Sequence, residues 1–238
     1  MPPPISHQQI QQFQEEGALI LEGFYSFQEL APVVSLLDRY VDESATRRRI
    51  TSSEYEAECE TKVQFWPASE EKAAIDLMAN ARLDEVTRLL IGDYDCRGAA
   101  AFGTPYQCGQ GWHQDSGSED PTEFVLNRIV YPRDSSPEQG PLYYVPGSHR
   151  RDLPKGGNHD SIPGECQVIP QAGMLAVIHS RCFHRVGINQ TQQTRIQINS
   201  RANPKGVRPD LCNYAVFRNC TWCHSSNGPW EYMPPPPV

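Results

Sequence analysis

The chain has 238 residues and a formal net charge of −8, with 29 Asp and Glu against 21 Lys and Arg. This length suffices for one domain with a substantial core, and the acidic balance excludes the basic footprint of a nucleic-acid-binding protein. No apolar run approaches the roughly 18 residues of a membrane span, and no basic region followed by an apolar stretch indicates a secretory signal. We therefore expect a cytoplasmic protein whose eight scattered cysteines are reduced thiols.

The first part of the chain predicts mainly helices. A Ser-x-x-Gln capping box begins the first helix and a glycine ends it, while the second helix has its apolar residues on one side. The predicted elements in chain order are a helix from Ser6 to about Glu16, a strand at Ala18–Leu21, a helix from Ser26 to about Val41, a strand at Val63–Trp66 and a helix at Arg82–Leu90.

Residues 43–62 are polar and charged, without helical or strand periodicity. A long unpatterned segment between ordered elements is typical of an active-site lid or of a surface loop without a role. We expect a mobile lid here, and the surface loop stays open as the alternative.

Short strands separated by Gly and Pro turns are predicted from Arg97 to about Asn203. Helices first and strands afterwards favour an α+β protein, and we expect a single domain over residues 1–238. We expect an irregular C-terminal tail at 204–238. Its Cys220-Thr-Trp-Cys223-His224 run matches a haem-attachment pattern. Without an export signal, we interpret these cysteines as structural thiols.

The run Gly111-Trp-His-Gln-Asp-Ser-Gly117 contains a His-x-Asp pattern, His113 and Asp115. Residues two apart on a strand point to the same face, so an imidazole and a carboxylate can converge on one ion. A second histidine would complete a two-His-one-carboxylate triad, which leaves three positions of an octahedral iron open. The alternative for this short pattern is an exposed loop histidine with a polar neighbour.

Two later histidines, His179 and His184, can supply the third ligand. The apolar run Met174–Ile178 before them predicts a buried strand, and Arg195 begins an alternating segment typical of a half-buried strand. An arginine beside a metal site is suited to a bidentate grip on a carboxylate.

Together these motifs resemble the phytanoyl-CoA dioxygenase family of Fe(II)- and 2-oxoglutarate-dependent oxygenases. The resemblance runs from about Ile5 to Arg201. The matching motifs are Gln12–Phe24, Trp112–Asp115, Gly140–Leu142, Pro146–His149, and His184 followed by Asn189, Thr191 and Arg195. Their joint occurrence in this order is far more specific than any one of them.

The resemblance implies a double-stranded β-helix (jelly roll) flanked by N-terminal helices. It also implies that His113, Asp115 and His184 bind Fe(II), and it favours His184 over His179 because Arg195 follows His184 at the family spacing.

For the cosubstrate, the resemblance implies that 2-oxoglutarate chelates the iron and pairs its C5 carboxylate with Arg195. Thr191 and Gln107 are further candidates for cosubstrate contacts. O2 would be the second cosubstrate, with ascorbate as a stimulant. Asp115 favours hydroxylation over halogenation, because related halogenating enzymes carry a small residue at that position.

The reaction implied is oxidation of a small metabolite or natural product in secondary metabolism, with release of succinate and CO2. We expect a small-molecule substrate, no nucleic acid or membrane partner, and a monomer or weak homodimer. A fatty acyl-CoA hydroxylase of the same family and a non-oxidative cupin-type sensor or isomerase stay open as alternatives. The candidate substrate contacts are Phe102, Tyr106, Trp112, Tyr143 and His179.

Overall fold

A computed structural model describes residues 3–42, 64–68, 70–115, 120, 122–151, 158–207, 214–217, 220–224 and 230–233. The lid predicted at 43–62 lies outside the described residues. Among the described residues, no helix has the length and apolar composition needed to cross a bilayer.

The described helices begin and end close to the predicted positions. The predicted capping box opens the first helix, because the Ser6 hydroxyl accepts from the Gln9 N–H while the Gln9 side chain accepts from the Ser6 N–H. Gly17 ends it at a φ of 78°. The helices are α1 (His7–Glu16), α2 (Phe27–Asp42), α3 (Lys72–Met78) and α4 (Ala81–Ile91). The third was not predicted, because fewer than two full turns give too short a pattern.

The larger sheet has six antiparallel strands in the order β1-β8-β5-β10-β3-β2. These strands are β1 (Ala18–Leu21), β2 (Gln64–Pro67), β3 (Tyr94–Thr104), β5 (Leu126–Tyr131), β8 (Met174–His179) and β10 (Arg195–Pro204). One face of this sheet packs against the helices through residues such as Ile196 and Ile198, which share a buried cluster with Leu30 and Val33 of α2.

The smaller sheet has four antiparallel strands in the order β4-β9-β6-β7. Its strands are β4 (Gln110–His113), β6 (Leu142–Tyr144), β7 (Cys166–Val168) and β9 (His184–Val186). Leu142 and Val168 of this sheet share a buried cluster with Ile129 and Ala176 of the larger sheet. Two antiparallel sheets packed face to face, with helices outside the larger one, form the predicted α+β jelly roll.

The C-terminal region differs from the irregular tail expected at 204–238. It contains an antiparallel three-stranded sheet of β11 (Tyr214–Phe217), β12 (Cys220–His224) and β13 (Trp230–Met233). Aromatic and β-branched residues, which favour strands, recur in all three segments, but each segment is too short to show a clear period.

Candidate metal and cosubstrate site

The pairing of β4 with β9 places His113 directly opposite His184. Their ring centroids are 4.2 Å apart, and both side chains are buried. In each ring, Nδ1 lies 2.8 Å from a backbone carbonyl two residues earlier, that of Gly111 for His113 and that of Cys182 for His184. A carbonyl only accepts, so Nδ1 carries the proton and Nε2 is the ring nitrogen with a lone pair, as a metal ligand requires.

Asp115 follows the end of β4 and brings its carboxylate between the two imidazoles. Its backbone N–H donates to the Ser180 carbonyl at 2.7 Å, which fixes the bend. Its Oδ1 lies 3.6 Å from Nε2 of His113, and its Oδ2 lies 3.5 Å from Nε2 of His184. We expected both residues of the His-x-Asp pattern on one strand face. The strand ends at His113, and the bend after it produces the convergence instead.

Two side chains from the larger sheet hold the Asp115 carboxylate. Asn127 of β5 donates its amide N–H to Oδ2, and Nη2 of Arg201 on β10 lies 3.6 Å from Oδ1. Arg201 also donates from Nε to the Asn127 carbonyl oxygen at 3.0 Å. The carboxylate is therefore oriented by an amide and a guanidinium, as outer partners orient metal ligands elsewhere.

Burial and the neighbouring groups leave His113 neutral and Asp115 ionised at neutral pH. Burial and the neighbouring His184 lower the pKa of His113 to about 4. Burial opposes ionisation of Asp115, but Arg201, the two histidines and Asn127 outweigh it and lower its pKa. The candidate ligand atoms of the three buried residues all lie within 4.8 Å of one another. This donor set fits a divalent non-haem iron, which would leave open positions for exchangeable ligands.

His179, the rival for the third ligand, lies outside this group. Its ring stacks on Phe124 with centroids 4.1 Å apart, and its Nδ1 accepts from the Arg181 N–H at 3.1 Å. Because Nδ1 accepts, Nε2 carries the proton in the neutral ring, and neither nitrogen of His179 offers a lone pair to a metal. The geometry therefore supports His184 as the candidate ligand.

Arg195 is a buried guanidinium with donors left over. It lies opposite Thr104 in the β10–β3 pairing, and its Nη2 donates to the Thr104 hydroxyl at 3.2 Å. In the described part of the chain, its Nε and Nη1 have no hydrogen-bond acceptor. Tyr131 lies beside the guanidinium group, with its ring centroid 5.6 Å from the guanidinium carbon. Burial lowers the pKa of Arg195. A buried cation of this kind needs an anion, and a guanidinium is well suited to a carboxylate.

The other predicted cosubstrate residues are placed differently. The Thr191 hydroxyl donates to Oδ1 of Asn189 at 2.8 Å, within the loop between β9 and β10. Asn189 is fully buried and also donates to the Thr104 carbonyl, so its hydrogen bonds attach this loop to β3. Gln107 is exposed, at a φ of 60°. The structure does not bring Thr191 or Gln107 into contact with Arg195.

The aromatic candidates for substrate contacts differ in their burial and in their neighbours. Trp112 is 1% exposed and stacks on Phe183, with ring centroids 5.2 Å apart. Tyr143 lies under Arg185, whose guanidinium carbon is 3.6 Å from its ring centroid. Tyr106 is 44% exposed. Phe102 of β3 lies opposite Gln197, which is two residues after Arg195 on β10.

Sequence reasoning missed Asn127 and Arg201. Their contact depends on the register of β5 with β10, in which Arg201 faces Asn127. An alternation of polar residues with Ile196 and Ile198 along β10 was the available signal, and it indicates a polar inner face.

The model of the family described as Phytanoyl-CoA dioxygenase (PhyH) matches residues 13–197. A curated relative, the ectoine dioxygenase of Sphingopyxis alaskensis, is 28% identical over 158 residues, which are 63% of this chain and 52% of the relative. The chain thus spans about half the length of that relative.

Solved structures with the same fold include two of low sequence identity. The epimerase SnoN, in complex with Fe3+, α-ketoglutarate and nogalamycin RO, matches with a TM-score of 0.67 at 17% identity, covering 82% of each chain. HygX from Streptomyces hygroscopicus, with nickel, 2-oxoglutarate and hygromycin B, matches with a TM-score of 0.67 at 15% identity, covering 85% of this chain and 88% of HygX. These likenesses confirm the jelly-roll fold. With a family match over residues 13–197, the chain belongs to the phytanoyl-CoA dioxygenase (PhyH) family.

Proposed function

We propose that the protein is an Fe(II)- and 2-oxoglutarate-dependent dioxygenase that oxidises a small-molecule metabolite or natural product. The oxidation proposed is a hydroxylation. The observation that carries this proposal is that one buried site combines a set of three candidate metal ligands with a buried arginine. His113, Asp115 and His184 present converging ligand atoms, and two nitrogens of Arg195 have no acceptor among the described residues. Family membership and the iron, nickel and 2-oxoglutarate held by SnoN and HygX support the same assignment.

The protein residues have separate tasks in this proposal. His113, Asp115 and His184 hold the iron, and Asn127 and Arg201 hold Asp115. Arg195 grips the C5 carboxylate of 2-oxoglutarate and so fixes the end of the cosubstrate away from the metal. When bound, iron(II) with 2-oxoglutarate and O2 supplies oxidative decarboxylation to succinate and CO2 together with the oxidising equivalents for the substrate. Burial of the site keeps bulk water from the reacting groups.

The cupin-type sensor or isomerase explains the structure less well. Such a protein needs a metal triad but has no use for a buried arginine beside it with two nitrogens that lack an acceptor in the described part of the chain. Leaving Arg195 without an anion would be costly, because an uncompensated buried charge destabilises a fold. The free donors therefore favour an anionic cosubstrate over a metal site alone.

Anaerobic titration of 2-oxoglutarate into the Fe(II)-loaded protein tests the proposal. We expect a saturable metal-to-ligand charge-transfer band in the visible spectrum, followed by succinate release when O2 and a substrate from a metabolite panel are admitted. The band should be absent in His184→Ala and unchanged in His7→Ala, a matched variant of an exposed histidine. A wild-type protein that binds iron but shows neither the band nor 2-oxoglutarate binding would contradict the assignment.

A further inference from the structure

The inner face of β10 carries a row of polar side chains. Arg195, Gln197, Asn199 and Arg201 alternate with Ile196, Ile198 and Ser200, and the two isoleucines belong to the core under the helices. Because alternate strand residues point to opposite faces, the polar members face the interior of the jelly roll. Arg195 and Arg201 belong to the site already described. Gln197 and Asn199 lie between them, and Asn199 contacts the site through its Nδ2, which donates to the Asn127 oxygen at 3.4 Å.

The residues directly opposite Gln197 and Asn199 across the sheet are apolar. Gln197 lies opposite Phe102 of β3, and Asn199 lies opposite Ala100 of β3 on one side and Ile129 of β5 on the other. The result is a short polar stretch with apolar cross-strand neighbours.

Each of the two amides has a buried oxygen without a hydrogen-bond donor. Gln197 is 8% exposed, and its Oε1 has no partner in the described part of the chain. The same holds for Oδ1 of Asn199. Buried polar atoms in native proteins are nearly always paired, so unpaired ones that face a binding site indicate a missing partner.

The hydrogen-bond chain at Asp115 fixes which atom of Asn199 faces the interior. The Asp115 carboxylate only accepts, so Asn127 must direct its N–H toward it. The Asn127 oxygen then accepts from Arg201 at 3.0 Å and from Nδ2 of Asn199 at 3.4 Å. Reversing the amide of Asn199 would bring two oxygens together. Its free atom is therefore the acceptor Oδ1, and a partner must donate.

We propose that Gln197 and Asn199 form a substrate subsite that presents two acceptor oxygens to neutral hydrogen-bond donors, such as the hydroxyl or amide N–H groups of a polyol, a sugar or a carboxamide. This inference rests on the proposed function and assigns its substrate class. A cationic donor fits less well, because Arg195 and Arg201 flank the pair, each roughly 7 Å along the strand from its neighbour in the row. Like charges at that spacing repel in a buried site.

The subsite discriminates against the acyl-chain substrate that the family name suggests. A hydrocarbon placed against Gln197 and Asn199 would leave both oxygens buried and unpaired. Each such acceptor costs about 10- to 100-fold in apparent affinity. A substrate that donates to both oxygens avoids this cost, so the subsite favours polar substrates.

A matched pair of probes tests the proposal without knowledge of the natural substrate. The probes are cyclohexane-1,2-diol and its dimethyl ether, which share a ring but differ in hydrogen-bond donors. Calorimetric titration into the protein supplied with Fe(II) and 2-oxoglutarate, without O2, should show the diol binding at least about tenfold more tightly. Equal binding of the two probes, including binding of neither, overturns the proposal.

Gln197→Met then tests whether the acceptor oxygen of Gln197 causes the preference for the diol. It keeps the length of the side chain and removes the acceptor, so the preference for the diol should fall several-fold while 2-oxoglutarate binding is retained. The metal-free variant should be at least as stable as the wild type, because an unpaired buried acceptor is gone. Gln12→Met, an exposed glutamine on α1, is the matched control. An unchanged preference, or a marked loss of stability in the metal-free variant, would contradict the assignment. Failure of the 2-oxoglutarate titration alone would instead defeat the proposed function, since probe binding is measured separately.

Discussion

Asn127 of β5 donates a hydrogen bond to Oδ2 of Asp115, which follows β4. The contact joins the two sheets of the jelly roll, because β5 belongs to the larger sheet and β4 to the smaller one. A carboxylate on a bend is thereby oriented by a rigid central strand. The geometry of the candidate metal site thus depends on how the two sheets pack, as well as on the ligands themselves.

Asn127→Ala should weaken Fe(II) binding by about 10- to 100-fold, because outer partners of a metal ligand contribute on this scale. Competition with a chromophoric chelator measures the Fe(II) affinity. Asn158→Ala, which changes an exposed asparagine, is the matched control. Fe(II) affinity that stays at the wild-type level in Asn127→Ala would show that the bend alone orients Asp115.

Replacing any one of His113, Asp115 and His184 by alanine should remove most bound iron while the fold is kept. The reason is that two protein ligands on one face hold an ion far less well than three. Metal content after dialysis measures the loss, and circular dichroism monitors the fold. His179→Ala should keep its iron, since its Nδ1 accepts from the Arg181 N–H. The assignment of the third ligand would be wrong if His179→Ala lost iron and His184→Ala did not.

Arg195→Ala should raise the apparent KM for 2-oxoglutarate with little change in iron affinity. Truncating one partner of a buried charge pair costs on the order of 2–5 kcal/mol. Arg195→Lys should recover only part of the loss, because an ammonium cannot make the bidentate contact of a guanidinium. Succinate release at varied 2-oxoglutarate measures the effect, with the exposed Arg133 changed to alanine as a control. A KM that does not move in Arg195→Ala would rule out this role.

The parts of the site that the sequence predicts are those that depend on local spacing. His113 and Asp115 are two residues apart, and Arg195 follows His184 within one strand–turn–strand unit. The contact of Arg201 with Asn127 requires residues 74 positions apart to meet. That meeting depends on strand order and register, which a single sequence does not determine. The same holds for the distinction between Trp112 as a packed core residue and Trp112 as a substrate contact.

His179 gives a prediction for stability at acidic pH. Burial lowers its pKa to about 3, with His149 and Arg181 as nearby charges that add to the effect, and its Nδ1 must stay unprotonated to accept from the Arg181 N–H. In the unfolded chain a histidine has its ordinary pKa of about 6.5. As the pH falls below about 6.5, His179 binds a proton in the unfolded chain, whereas in the folded chain it binds one only near pH 3. The contribution of His179 to stability is therefore complete above pH 6.5 and is lost progressively below it, by at most about 1.4 kcal/mol per pH unit.

His179→Gln keeps an acceptor at this position and removes the titration. The free energy of unfolding of this variant, measured by urea denaturation between pH 7 and pH 4, should fall less steeply than that of the wild type. His7→Gln, at an exposed site on α1, should follow the wild-type curve. Both comparisons use the metal-free protein, so that iron binding does not add to the pH dependence. If the His179→Gln and wild-type curves run parallel over this range, protonation of His179 does not contribute to acid unfolding, and the carboxylates and remaining histidines account for it.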